Sequence, residues 1–72
     1  MSDKLTPRGA RGRAELTQEE ACKRIGIARS TLQNYEKFKT VPPVSVAKKM
    51  AEVYGVSVSD IDFSNWFFLT VS

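Results

Sequence analysis

The 72-residue chain predicts an all-α domain of five short helices followed by a short apolar C-terminal extension. Three observations carry that expectation. Helix-start chemistry recurs at Thr6-Pro7, at Thr17 with Glu20 three residues on, and at Ser57 with Asp60 three residues on. Glycines stand where helices would close, at Gly26 and Gly55. Strand signals are scarce until the final segment.

The elements can be justified in order. Residues 1–5 form an N-terminal tail, and the domain proper is expected over 6–63. The first helix covers about 7–14, with Thr6 as hydroxyl N-cap and Pro7 at the first helical position; Gly9 and Gly12 weaken it. The second covers about 18–25. Thr17 and Glu20 make its capping box, Glu19 and Glu20 face the positive end of its dipole, and Gly26 ends it. The third follows almost at once over about 28–37, with Ala28 as a poor N-cap. So short a connection sets the second and third helices at a steep angle, as in a helix-turn-helix. "FKTVPP" then leads into a fourth helix over about 44–54. Its Val46, Ala47, Met50, Ala51 and Tyr54 share one apolar face. The Ser57–Asp60 box predicts a fifth helix over about 58–61. The extension, 64–72, sets Trp66, Phe67, Phe68 and Leu69 in a row. It is expected to cover part of the core, with a protein interface, including a homodimer, as the alternative.

Composition narrows the function classes. A chain this small builds one domain with a thin core, too little wall for an enclosing substrate pocket. It contains no histidine, a single cysteine and no glycine-rich phosphate loop, so an enzyme, a metal site, a cofactor and a small-molecule substrate are all unexpected. Cys22 fits a reducing cytoplasm. No apolar run reaches the roughly 18 residues of a membrane span, and the basic start has no secretory apolar stretch. The net charge of +3 is unevenly placed. All 11 Lys and Arg lie in residues 1–50 beside five acids, giving +6, while residues 51–72 carry only Glu52, Asp60 and Asp62, giving −3. A basic front suits a polyanion, although a solvated basic surface is common in small proteins.

The third helix sharpens this. Projected at about 100° per residue, Arg29, Ser30, Gln33, Asn34 and Lys37 share one face, and Ala28, Leu32 and Tyr35 the other. Plain solvation accounts for most polar helical faces. Here the polar set is rich in Arg, Gln and Asn, which make bidentate hydrogen bonds to base edges. Cys22, Gly26 and Leu32 also fit a helix-turn-helix: a small side chain at the crossing, a residue tolerant of positive φ, and an apolar lock.

With these residues in place, "LTQEEACKRIGIARSTLQNYEK…VPPVSVAKKMAEVYGVSVSDI", residues 16–61, resembles the Cro/CI-type, lambda-repressor-like helix-turn-helix family. The resemblance implies a five-helix bundle that binds double-stranded operator DNA, commonly as a dimer. It implies that Gln18 anchors a phosphate and braces the third helix. Arg29, Gln33 and Asn34 would read bases, with Gln18, Ser30, Lys37, Lys39 and Thr40 on the DNA backbone. It further implies that Arg11 and Glu36 form a structural pair. Three departures stand out: Phe38 and Glu15 occupy positions where the family has glycine, and Ala28 lacks the usual hydroxyl. An exposed Phe38 beside the third helix would suit a protein partner.

The expected function is therefore a sequence-specific transcription regulator of Cro type, from a phage or bacterium, working in the cytoplasm of the bacterial or phage-infected cell. The alternative belongs to another class: an antirepressor that covers a phage repressor protein with the same face, using Phe38, Trp66, Phe67 and Phe68.

Overall fold

The computed structural model describes residues 5–63. Four α-helices follow in order: α1 (Pro7–Arg13), α2 (Gln18–Ile25), α3 (Arg29–Glu36) and α4 (Val44–Tyr54). Local chemistry starts the first two. The Thr6 hydroxyl accepts from the Gly9 N–H at 2.9 Å, just ahead of Pro7. At α2, Thr17 Oγ1 accepts from the Glu20 N–H at 3.1 Å, and the Glu20 carboxylate accepts from the Thr17 N–H at 2.9 Å. Helices α3 and α4 begin after Ala28 and Pro43, which supply no side-chain cap. The ends of α3 lie one residue inside the expected 28–37, since Ala28 and Lys37 are its caps.

All four helices end in the same way. The chain passes through a left-handed residue, and the next N–H reaches back five residues. The left-handed positions are Glu15 (φ 60°), Gly26 (φ 88°), Phe38 (φ 60°) and Gly55 (φ 74°). The returning bonds run from Leu16 to the Arg11 carbonyl, Ile27 to Cys22, Lys39 to Asn34 and Val56 to Ala51, at 3.3, 3.2, 2.9 and 3.0 Å. Leu16, Ile27 and Val56 then pack against the core, as such endings favour. Lys39 does not; it is exposed. At the end of α3 the aromatic stands in the left-handed position itself, and Phe38 is half-buried rather than exposed as expected.

The expected fifth helix is corrected. Over 58–61 the chain makes one turn of 3₁₀ helix, Val58–Asp60, and Ile61 leaves in extended conformation (φ −108°, ψ 130°). The Ser57–Asp60 box forms, but a single tight turn satisfies it as well as an α-helix would. Ile61 is drawn into the core instead. It makes a parallel bridge with Leu5, whose N–H donates to the Asp60 carbonyl and whose carbonyl accepts from the Asp62 N–H, both at 2.8 Å. The two ends of the described chain are thus tied together.

Helix α2 packs on α3 and α4, and α1 closes over the same pair. Ala10, Ala21, Cys22, Ile25, Leu32, Tyr35, Met50, Ala51, Tyr54 and Ile61 form one core. Leu32 and Met50 have no exposed surface. Small side chains at Ala21 and Cys22 let the α2 backbone approach its neighbours closely, which the steep α2–α3 turn requires. No helix among the described residues is long and apolar enough to cross a membrane. Residues Trp66, Phe67 and Phe68, and the whole segment 64–72, lie outside the described residues.

Candidate nucleic-acid interface

The apolar face of α3, carried by Leu32 and Tyr35, is buried. Its opposite face is therefore held outward by the core itself. Arg29, Ser30 and Lys37 are exposed, as are Lys39 and Thr40 just beyond; Gln33, Asn34 and Gln18 are half-buried. Gly26 makes the turn that brings α3 to this position, with the Gly26 and Ile27 N–H groups both donating to the Cys22 carbonyl. Cys22 is buried, and burial pushes its thiol above the usual range, so it serves as a small core hydrophobe.

One connected set of hydrogen bonds runs from α1 to the polar face of α3. Arg11 Nε donates to Glu36 Oε2 at 2.6 Å, Arg11 Nη2 to Glu36 Oε1 at 3.3 Å, and Arg11 Nη1 to the Leu16 carbonyl at 2.9 Å. Gln18 Nε2 donates to Glu36 Oε1 at 3.0 Å, and Gln33 Nε2 donates to Gln18 Oε1 at 3.4 Å. The Arg11 and Glu36 side chains are 15% and 5% exposed. The bond to Glu36 raises the Arg11 pKa against the opposing effect of burial, so the guanidinium stays charged.

The chemistry of this chain orients both amides. A carboxylate only accepts, so Gln18 must turn its NH₂ to Glu36 and its oxygen away. That oxygen then takes one N–H of Gln33. Among the described residues nothing takes the Gln33 carbonyl oxygen or its second N–H, the acceptor-and-donor pair that matches the N6 and N7 edge of adenine. The arrangement can fix the rotamer of the Gln33 amide before any ligand arrives.

Of the residues expected at the site, Arg11, Glu36, Gln18 and Gln33 are brought into this one network. Arg29, Ser30, Asn34 and Lys37 share the α3 surface, while Lys39 and Thr40 stand at its far end. Trp66, Phe67 and Phe68 lie outside the described residues. Arg8 was not anticipated. It lines an open groove with Arg11, Gln18, Gln33, Glu36 and Lys37. Its sequence signal was the three-residue spacing to Arg11, which sets both on one side of α1. No group of residues able to hold a metal ion occurs among the described residues.

The helix-turn-helix family profile matches residues 8–61. An uncharacterised HTH-type transcriptional regulator of Archaeoglobus fulgidus is 39% identical over 51 residues, covering 71% of this chain and 72% of that protein. One from Methanocaldococcus jannaschii is 41% identical over 46 residues, covering 64% and 70%. The cryptic phage CTXphi transcriptional repressor RstR of Vibrio cholerae is 33% identical over 54 residues, covering 75% and 49%. No solved structure matches the chain.

Proposed function

The chain belongs to the helix-turn-helix family of Cro/CI type, a family of DNA-binding transcription regulators, and from that premise we propose that it reads a specific operator with α3 in the major groove. The observation that carries this is the hydrogen-bonded path Arg11–Glu36–Gln18–Gln33, which sets the Gln33 amide outward in a fixed orientation. Arg29 favours guanine, and Gln33 and Asn34 favour adenine. Gln18, Ser30, Lys37, Lys39 and Thr40 hold the DNA backbone and carry no sequence information. The likeness to a phage repressor supports a Cro-type role in a phage or bacterial cell, with the protein acting in the cytoplasm. Operators of such proteins are near-palindromes when the protein binds as a homodimer, with half-sites about one helical turn apart.

A second reading is supported by one feature. Val41 and Val44, in the stretch that follows Phe38 along the chain, are 53% and 71% exposed. Apolar surface there suits a protein partner, such as a phage repressor whose own DNA-reading surface would be covered. One titration separates the two readings. The pure protein is titrated against its own upstream DNA over a range of salt, with and without any adjacent repressor. Tight, salt-sensitive binding by the protein alone, weakened by Asn34→Ala, supports operator reading. Absence of specific binding, with loss of the repressor's own complex, supports the second reading and overturns the first.

A further inference from the structure

Every bond on the path from Arg11 to Gln33 has a direction, and only one end of the path fixes it. An arginine can only donate and a carboxylate can only accept, whereas the Gln18 and Gln33 amides can each be turned end for end. Glu36 stands between the two kinds of group. Its Oε2 meets Arg11 Nε at 2.6 Å, and its Oε1 meets Gln18 Nε2 at 3.0 Å. Gln18 answers by showing its oxygen to Gln33 Nε2 at 3.4 Å. With 5% of the Glu36 side chain exposed, water offers it no substitute partner. The family resemblance makes Glu36 half of a structural pair. Its bond to Gln18 connects it also to the polar face of α3.

We infer that Glu36 is a positioning residue for base recognition: through Gln18 it sets which end of the Gln33 amide faces the DNA. The inference rests on the operator-reading proposal above and extends it to a residue that touches no base. Its consequence is a reversal of preference rather than a loosening. In Glu36→Gln the amide must turn its oxygen to Arg11, which leaves its nitrogen in the place of Oε1, against Gln18. Gln18 must then accept at that end and donate to Gln33, and Gln33 must turn its oxygen inward. The outward end of Gln33 becomes a pair of donors. In the major groove adenine offers one donor and one acceptor, while guanine offers two acceptors, N7 and O6. The preferred base therefore changes from adenine to guanine.

The test uses the full chain and a set of duplexes that differ only at the base pair where Gln33→Ala relaxes the parent's preference. Affinity is measured by fluorescence anisotropy, and circular dichroism at the same temperature checks that each variant is folded. The parent is expected to favour adenine over guanine there by about fivefold or more. Glu36→Gln is expected to invert that ratio. Adding Gln18→Glu to Glu36→Gln puts an acceptor-only group back beside Gln33 and is expected to restore adenine, which a merely structural role of Glu36 would not do. A uniform loss of affinity, as from a lost backbone contact, leaves these ratios unmoved. Gln18→Met keeps the Arg11–Glu36 pair but breaks the link, and is expected to bring the ratio near one; it tests the inference even where Glu36→Gln does not fold. An adenine preference that persists in Glu36→Gln or in Gln18→Met overturns the inference. So does a preference lost without inversion in Glu36→Gln, or an inversion that Gln18→Glu does not reverse. Each of these results leaves operator reading intact. If the parent shows no preference that Gln33→Ala relaxes, the reading of a base by Gln33 itself fails.

Discussion

Glu36 accepts three side-chain hydrogen bonds, two from Arg11 and one from Gln18, while only 5% of its side chain meets solvent. Removing one member of such a pair leaves the other charge uncompensated, and that usually matters more than the pair's own net worth. Glu36→Gln is expected to cost about 3 kcal/mol, read from urea unfolding. Replacing both partners by apolar residues, as Arg11→Met with Glu36→Leu, should cost much less than the single change. Tyr54 makes the opposite case. Its hydroxyl is buried with no hydrogen-bond partner among the described residues. Burial, and secondarily the Glu36 carboxylate, push its pKa from 10.0 to about 12. Tyr54→Phe is therefore expected to raise stability by about 1 kcal/mol at neutral pH. The pH dependence has a definite sign. The folded state holds the phenol proton where the unfolded chain releases it, so the parent chain loses stability as pH rises from 10 toward about 12, and the advantage of Tyr54→Phe grows over that range. The difference in melting between the parent and Tyr54→Phe should change over that alkaline window and nowhere below it.

At the scale of elements, the helix ends are the most informative feature. Two of the four left-handed closures use glycine, and two use Glu15 and Phe38. A left-handed backbone costs an ordinary residue about 1–2 kcal/mol. Glu15 is exposed and has no packing to lose, so Glu15→Gly isolates that strain. After subtracting the greater freedom of glycine in the unfolded chain, a gain of about 0.5–1 kcal/mol in thermal or urea unfolding is expected. Helix starts and stops were legible in the sequence because a cap is a local device. Thr17 and Glu20 must sit three residues apart for their bonds to close, and Gly26 and Gly55 mark left-handed turns by residue type alone. The short turn after Ser57 was not legible as 3₁₀. Its capping box fits either helix, and the decision is taken elsewhere, by the burial of Ile61 and its bridge to Leu5.

For the whole molecule, the legible part of the candidate site was the amphipathic face of α3, since one helical projection separates Leu32 and Tyr35 from Arg29, Gln33 and Asn34. The pairing of Arg11 with Glu36, and the bracing role of Gln18, came only through the family resemblance. Those residues are far apart along the chain, and no periodicity links them. The bond from Gln33 to Gln18 and the position of Arg8 required the folded arrangement of α1 against α3, because a groove between helices has no sequence pattern of its own. The domain as a whole is a small scaffold whose core holds one polar path against one outward helical face. We propose that Gln33, fixed by that path, reads a base. The most direct measurement is a binding-site selection from a randomised DNA duplex, run in parallel with the parent chain and with Gln33→Ala. The parent is expected to enrich a defined site, and the variant to relax it at a single position with a loss of about 1–3 kcal/mol there. An enriched site that is identical for the two proteins, or no enrichment by the parent, would contradict it.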